Sequence, residues 1–305
     1  MADPLSDILR LAKVEPTVAG GFTAGGAWSI RFPAPDKLKF FAILKGGCWL
    51  AIDNHKTPVR IEEGDVILLS LQTSFILAGD LSAVPLDAVK LFEKSKTQVI
   101  GDAEDCVQIG GHIRLDGASG AILEDVLPPF IHIKAASPQA ASVKWLLDQY
   151  VRERARVLPG GEITAAHLVG LMFVQILRLY VDEGAPLASE WLRAIADKQL
   201  APALRLMHET PGRSWRIDEL AKASGMSRTA FAVRFKTVAG IAPLAYLTQW
   251  RMRLAEHALR EENATLAALA ERLGYSSESA FSNAFKRVTG CTPRACRRAH
   301  SRRAR

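Results

Sequence analysis

The sequence predicts a multi-domain α+β chain with an N-terminal antiparallel β-barrel, a helical connecting segment and a C-terminal all-α domain. Three observations lead to this fold class. Residues 1–136 contain short apolar runs separated by Gly, Pro, Asp and Asn, as in strands joined by turns. After residue 136 the apolar residues follow helical spacing. The last third repeats one short helical pattern and has a strongly positive net charge, whereas the rest of the chain is weakly negative.

The N-terminal segment, residues 1–136, opens with a short amphipathic helix that Asp3 can cap. It shows no basic start followed by an apolar stretch, so we expect no secretory signal and a cytoplasmic protein. Its strand-like runs are "AWSIRF", "FFAIL", "CWLAID", "VRIE" and "DVILLSL". Their regular spacing is typical of an antiparallel sandwich or barrel.

Residues 137–190 predict two helices and a linker. Ser137 and Pro138 occupy the cap and first position of the first helix, and "GGEITAAHLVGLMFVQILRLYVDEG" forms the second. "GAPLASE", Gly184–Glu190, is the expected linker. The apolar face of the pair could form a dimer interface or pack on the barrel, and an apolar face alone does not choose between them. That face contains Leu146, Leu147, Tyr150, Leu171, Phe173, Ile176 and Leu179.

Charge is unevenly distributed along the chain. The net charge of the 305 residues is +7. Residues 200–305 hold 19 Lys and Arg against 8 Asp and Glu, a net charge of +11, and the remainder has 20 against 24, a net charge of −4. A basic C-terminal domain, 191–305, indicates an anionic partner, and double-stranded DNA is the natural candidate.

The C-terminal domain contains an internal repeat. "SRTAFAVRFKTVAG", from residue 227, matches "SESAFSNAFKRVTG", from residue 277, in one Ala, both Phe, the Lys that follows the second Phe, the next Val and the final Gly. In each copy a short helix ends at a glycine, a serine caps a second helix, and an apolar stripe must face a core. This pattern predicts two helix-turn-helix units at about 217–239 and 266–289. The predicted stripes are Phe231, Phe235 and Val238, and Phe281, Phe285 and Val288.

The outer faces of the two second helices differ, which is expected if one scaffold reads different bases. Asn can bond adenine, Ser can bond several base edges, and Ala or Val can touch a thymine methyl. The predicted base-reading residues are Arg228, Thr229, Ala232, Val233, Glu278, Ser279, Ser282 and Asn283. The predicted phosphate contacts are Ser227, Lys236, Arg251, Arg253, Ser277, Lys286 and Arg287.

A single helix between the copies begins at Pro243 and would have roughly 18 residues, spanning about 27 Å. Such a helix could set two recognition helices about 34 Å apart, one DNA turn, on successive major grooves.

These motifs resemble the AraC/XylS family of bacterial transcription regulators over about Ala201–Arg298. The resemblance rests on "WRIDELAKASGMSRTAFAVRFKTVAGIAPLAYLTQWRMRLA" and "LAALAERLGYSSESAFSNAFKRVTGCTPRA". It implies a DNA-binding regulator, by family habit an activator that contacts RNA polymerase. The chain departs from the family pattern at Val233, where a basic residue is frequent, at Arg216 in a cap position, and at Cys296 in an aromatic position.

The N-terminal part resembles the cupin-type sensor domain of one branch of that family. "FFAILKGGCWLAID" and "PVRIEEGDVILL" match its paired strands and its turn at Gly64 and Asp65. The resemblance implies control by a small-molecule effector or by a contact at the barrel. The sequence identifies no effector-binding residue; Arg31 and Lys39 point only faintly to an acidic effector.

Two other functions remain open at this point. A cupin-type metalloenzyme domain fused to a DNA-binding domain would need clustered histidines, whereas His55, His112 and His132 are isolated in sequence. Cys48, Cys106, Cys291 and Cys296 have no zinc-type spacing, and no catalytic motif stands out. We therefore expect no enzyme activity, no metal and no cofactor.

An architectural DNA-bending protein would account for the basic domain but not for the barrel. No apolar run approaches the roughly 18 residues of a membrane span, so we expect no membrane contact.

Overall fold

The computed structural model describes residues 3–70, 73–115, 120, 123, 127–156, 158–182, 190–261 and 264–303. The described residues form two compact units. The barrel unit comes from residues within 14–115 and 127–186, and the helical unit from residues within 1–13, 116–126 and 187–305. The expected linker, Gly184–Glu190, lies outside the described residues except for Glu190. The domain boundaries at 136 and 190 stay predictions.

The barrel unit is a curled sheet in which most neighbouring strands run antiparallel. The main path has the order β7-β2-β6-β3-β9-β1-β8, while β4 pairs with β3, and β5 lies between β3 and β10. β1–β8 and β2–β7 are parallel pairs. The predicted β-barrel class is confirmed. The strands are β1 Glu15–Ala24, β2 Ser29–Phe32, β3 Leu38–Ile52, β4 Val59–Glu62, β5 Val66–Leu69, β6 Phe75–Ala78, β7 Leu86–Asp87, β8 Thr97–Ile100, β9 Cys106–Arg114 and β10 Phe130–Ile133.

The inside of the barrel is filled by aromatic and branched side chains. Phe22 meets Trp28 edge to face with ring centroids 5.1 Å apart, and Phe32 stacks on Phe75 at 4.9 Å. The long strand β3 supplies alternate residues to this core and changes register between Ile43 and Lys45, where it bends. A short helix, α2 Ala88–Leu91, covers one edge of the core.

The Gly-Asp turn anticipated between two strands is present. Gly64 has φ +83°, a conformation that favours glycine. The buried carboxylate of Asp65 accepts hydrogen bonds from the Glu62 amide (3.1 Å), the Ala135 amide (2.8 Å) and His132 Nε2 (2.7 Å). Burial opposes ionisation of Asp65, but these bonds outweigh it and lower its pKa below the ordinary value. His132 therefore has a structural partner that ties β10 to this turn.

Helices α3 Ala141–Ala155 and α4 Gly161–Asp182 pack together and against the barrel, after a 3₁₀ turn at Pro138–Ala140. Tyr150 lies edge-on to Phe40 at 6.4 Å, and α4 contacts β1 and β10. Most of the predicted apolar face thus packs on the barrel: Leu146, Leu147, Tyr150, Phe173 and Ile176 are buried and Leu179 is half-buried. Leu171 does not pack on the barrel and is 53% exposed, since it lies on the far side of α4 from Val169 and Phe173.

Helix α4 has the length and the apolar composition of a membrane-spanning helix. It was not identified from the sequence, because only unbroken apolar runs were considered there. Its packing against α3, β1 and β10 accounts for the apolar face within the barrel unit.

The helical unit has an N-terminal helix, α1, and a series of C-terminal helices. α1 packs on α6, α5 packs on α8, and α9 contacts α8, α11 and α12. The predicted all-α class of the C-terminal domain is confirmed. The helices are α1 Pro4–Leu11, α5 Glu190–Ala196, α6 Ala201–Glu209, α7 Ile217–Ala223, α8 Arg228–Ala239, α9 Pro243–Glu261, α10 Leu266–Arg272, α11 Glu278–Thr289 and α12 Pro293–Arg303.

A polar cluster holds α1 against the helical unit. His208, on α6, is buried and stacks on Trp250 with ring centroids 4.0 Å apart. Its Nδ1 lies 3.1 Å from the Asp7 carboxylate on α1, and its Nε2 lies 2.9 Å from the Tyr246 hydroxyl. A neutral imidazole satisfies both contacts if Nδ1–H donates to Asp7 and Nε2 accepts from Tyr246.

Candidate nucleic-acid interface

The first helix-turn-helix consists of α7 and α8. The turn passes through Gly225, at φ +64°, and Ser227 caps α8 by accepting a hydrogen bond from the Ala230 amide at 3.2 Å. Phe231 and Phe235 are fully buried and tilt against each other at 5.6 Å. Arg216 occupies the N-cap position of α7, where a Ser or Thr side chain is absent. The Glu219 carboxylate instead accepts the Arg216 amide at 2.9 Å, which satisfies one free amide of the first turn.

The second helix-turn-helix, α10 and α11, repeats this construction. Thr265 caps α10 and Ser277 caps α11, each accepting an amide hydrogen bond three residues on, at 3.2 and 3.1 Å. Gly274 has φ +76°, and a Cβ there would lie 2.0 Å from the Gly212 carbonyl oxygen. The close approach of the 210–213 loop to this turn therefore requires glycine.

The apolar stripe of α11 differs from the predicted one. Phe281 and Phe285 are buried as expected, but the third buried position is Ala284, and Val288 is 40% exposed. The three buried residues, Phe281, Ala284 and Phe285, have i, i+3 and i+4 spacing, which is typical of the surface of a helix that packs on a core. Val288 lies near the end of α11, beyond that surface. In α8 the equivalent Val238 is half-buried.

The predicted base-reading residues of α8 lie on its open side. Thr229 is exposed and Val233 is 62% exposed, while Ala232 is half-buried. Arg228 is exposed and its Nε lies 3.6 Å from the Asp218 carboxylate on α7. An exposed pair of this kind is weak, so the guanidinium can exchange partners readily.

The predicted base-reading residues of α11 are also accessible. Glu278, Ser279 and Asn283 are exposed, and Ser282 is half-buried. α8 and α11 thus present the same scaffold with different exposed chemistry: Val233 stands where α11 has Asn283.

The predicted phosphate contacts divide into two groups. The exposed group contains Ser227, Lys236, Ser277, Lys286 and Arg287. Arg251 instead donates from Nε to the Pro211 carbonyl (2.6 Å) and from its terminal nitrogen to the Arg213 carbonyl (2.9 Å), and it lies over Tyr275. Arg253 is half-buried. Burial lowers the pKa of both guanidinium groups. Phosphate contact by Arg251 and Arg253 stays a prediction.

Sequence reasoning missed a basic cleft at the start of α10. Arginines of this cleft lie on α12, a helix that packs on α9 and buries Cys296. The cleft is lined by Thr265, Leu266, Glu278, Arg294, Arg297 and Arg298.

The described part of the chain holds no group of three or more His, Cys, Asp or Glu side chains suited to a metal ion. His55 Nδ1 lies 3.0 Å from the Thr57 carbonyl in the turn after β3, and His132 bonds Asp65. His112 lies on β9, where it lines a cavity in the barrel unit.

Comparison with known proteins identifies both parts of the chain. Residues 3–182 match the family model described as "Cupin", and residues 220–299 match the "Helix-turn-helix domain" model. A "Putative AraC-like transcription regulator" of Streptomyces antibioticus is 39% identical over 293 residues, covering 95% of this chain and 97% of the relative. The chain belongs to the AraC family of transcription regulators. Its barrel unit is accordingly a cupin-type domain, and its helical unit carries the DNA-binding domain.

Other relatives of this AraC-family chain are also regulators. "HTH-type transcriptional regulator AlkR" of Acinetobacter baylyi is 30% identical, covering 88% of this chain and 90% of the relative. Among solved structures, the DNA-binding domain of AdpA in complex with a target DNA is 30% identical, with a TM-score of 0.34, covering 35% of this chain and 96% of that chain. The relatives carry the names of transcription regulators, and this chain is a DNA-binding regulator.

Proposed function

We propose that the chain activates transcription by reading two successive major grooves with α8 and α11. The observation that carries the proposal is the repeated, capped helix-turn-helix whose equivalent outer positions differ, as at Val233 and Asn283. Shared buried residues with different exposed residues are expected of two readers that recognise two different half-sites.

The length of α9 supports reading on one face of the duplex. α9 has 19 residues, which corresponds to about 28 Å of helix. Recognition helices on successive major grooves lie about 34 Å apart. A helix of this length, with short turns at both ends, suits that spacing.

The exposed side chains assign a chemistry to each half. Val233 and Ala232 on α8 suit thymine methyl groups, and Asn283 on α11 suits bidentate bonding to adenine. Lys236, Lys286 and Arg287 would bind phosphates together with Arg294 and Arg298 of the basic cleft.

The barrel would regulate this activity by binding a small effector or through a contact with another protein. RNA polymerase is the partner that an activator requires, and the cytoplasm is where both would meet. Residues 1–136 would form the sensor domain, and residues 137–190 would connect the domains and pair two chains. Residues 191–305 would form the DNA-binding domain.

We propose further that the chain forms a homodimer through the outer side of α3 and α4. The inner side of this helix pair packs on the barrel, but Trp145 is 59% exposed, and Ile163 and Leu171 are exposed on α4. Large exposed apolar side chains on both helices of the pair support this proposal, because such side chains are favourable in an interface.

Selection from a random DNA pool tests the central proposal. The full chain is incubated with the pool at physiological salt, and the bound DNA is sequenced. We expect enrichment of two short blocks about 10 base pairs apart, centre to centre. Salt-sensitive binding without enrichment would contradict sequence-specific reading and leave a non-specific binder.

A further inference from the structure

The barrel unit contains a cavity of about 260 Å³ between the curled sheet and α2. Its walls come from β1, β2, β3, β9 and the segment around α2, so it lies wholly within the barrel unit. The lining residues include basic and apolar side chains and no Asp or Glu among those described. The basic groups among them are Lys39, Lys96 and His112.

Lys39 is the chemically distinctive residue of this cavity. Its Nζ lies 3.9 Å from the centroid of the Phe32 ring and 5.3 Å from that of Phe75. Among the described residues, no carboxylate lies within ion-pairing distance of it. Burial lowers the pKa of Lys39 to about 8, because the charged ammonium has lost water and gained no opposite charge. A partly buried cation without a counter-ion is unfavourable, and a bound anion would relieve this cost.

His112 adds a second polar group beside Lys39. The two residues are directly paired across β3 and β9, which brings their Cβ atoms within about 5.5 Å. The buried Nδ1 of His112 has no hydrogen-bond partner in the described part of the chain. Burial, and then the charges of Lys39 and Lys37, lower the pKa of His112, while Asp36 opposes them. His112 is thus a neutral hydrogen-bonding group next to a cation.

The remaining walls suit an apolar body. Phe32, Pro33, Val89 and Phe92 supply apolar surface. Glycines on β1 and β9 leave the floor without side chains: Gly20 pairs with Gly110, and a Cβ on Gly110 would lie 2.8 Å from the Phe40 carbonyl oxygen. The cavity therefore combines one cation, a neutral imidazole and apolar walls, as in sites for small amphipathic acids.

We propose that this cavity binds a small carboxylic acid, with its carboxylate against Lys39 and His112 and its apolar body against Phe32 and Phe92. This inference names the chemical class of the effector and rests on the proposed control of the regulator through its barrel. A carboxylate supplies the missing counter-ion of Lys39 in a charge-assisted hydrogen bond.

Calorimetric titration of the full chain tests the site. The probes are benzoate, hexanoate and octanoate, each compared with its amide, which has nearly the same shape without the charge. We expect at least one acid to bind and its amide to bind at least tenfold more weakly, because a hydrogen bond between charged groups is worth more than a neutral one. Lys39→Met should weaken the acid about tenfold to a hundredfold and leave the amide unchanged.

Lys45→Met is the matched control, since Lys45 lies on the same strand but is exposed. A melting curve verifies that each variant folds, and the comparison of acid with amide in the unmodified chain needs no variant. Equal binding of acid and amide, binding of no acid at millimolar concentration, or full acid binding by Lys39→Met would each overturn the proposal.

Proton uptake gives a second measurement. Titrations at pH 8 in two buffers of different ionisation enthalpy should show uptake of about half a proton per acid bound, because about half of the Lys39 side chains are neutral there and become charged on binding. Lys39→Met should show no proton uptake on binding, and uptake equal to that of the unmodified chain would exclude Lys39 from the site.

DNA affinity is then measured with and without the acid. Acid binding at Lys39 without any change in DNA affinity would contradict effector control while leaving the carboxylate site intact.

Discussion

At the scale of single residues, function depends on which side chains a helix leaves exposed. α8 and α11 bury equivalent phenylalanines and expose different residues, and the exposed residues carry the base-reading proposal. Exposure alone does not separate base readers from phosphate contacts. Substitutions do, because loss of a base contact changes sequence preference whereas loss of a phosphate contact changes affinity for every sequence.

Replacement of Asn283 with Ala should relax base preference at one position of the DNA site. The loss of a bidentate amide contact should cost about 1–3 kcal/mol on the preferred base and little on the others. Binding is measured on a set of duplexes that vary one position at a time. A uniform loss across all duplexes would show that Asn283 does not read a base.

Replacement of Lys286 with Ala should weaken binding to all duplexes alike. Loss of one phosphate contact should reduce the slope of log affinity against log salt by about one unit. Lys144→Ala, at an exposed position on α3 in the barrel unit, serves as the control and should leave the slope unchanged. A wild-type slope for Lys286→Ala would remove this residue from the phosphate contacts.

At the scale of elements, stability depends on the surfaces that helices bury. Phe285→Ala should destabilise the second helix-turn-helix by about 3–5 kcal/mol, because Phe285 is fully buried beside Phe281. Val288→Ala is the matched control on the same helix and should cost about 0.5 kcal/mol, since Val288 is largely solvated. Chemical denaturation measures both, and equal costs would show that the two positions are equally buried.

The α1 cluster should make stability depend on pH. Burial is the largest influence on His208 and lowers its pKa from the ordinary 6.5; Asp7 and Asp3 act against this, and Arg253 acts with it. The unfolded chain therefore binds the proton more readily than the folded chain. Stability should be fully present above about pH 6.5 and should fall as the pH decreases below it. Tyr246, whose pKa burial raises to about 12, stays neutral throughout.

Denaturation curves between pH 5 and 8 check this expectation. His208→Gln keeps a neutral polar side chain and should lack the component of the pH dependence that His208 supplies. If the variant and the unmodified chain lose the same stability on acidification, another group is responsible.

The sequence predicted the class, the order and the buried helix faces of both parts well, because periodicity reports which side of a helix is apolar. Periodicity does not show where along a helix the surface that packs against it ends. Val288 was predicted to face a core, but the surface that covers this helix ends before reaching it. The contacts of Arg251 with the carbonyls of Pro211 and Arg213, about 40 residues earlier in the chain, were not predicted. Long-range contacts of this kind leave no local pattern.

At the scale of the whole molecule, the uneven charge and the helix pair bear on assembly. The basic residues of the C-terminal third attract DNA, whereas the rest of the chain is weakly acidic and would not compete for it. The barrel unit exposes large apolar side chains on α3 and α4, through which two copies would pair in the proposed homodimer.

If that face joins two chains, the double variant Trp145→Ser, Leu171→Ser should be monomeric at concentrations at which the unmodified chain is a dimer. Both side chains are mostly exposed, so their removal should leave the fold intact, whereas a buried apolar interface loses its main stabilisation. Light scattering after size-exclusion chromatography measures the mass. Val84→Ser, at an exposed apolar residue elsewhere on the barrel unit, is the control and should remain dimeric. A double variant with the mass of the unmodified dimer would place the interface on another surface.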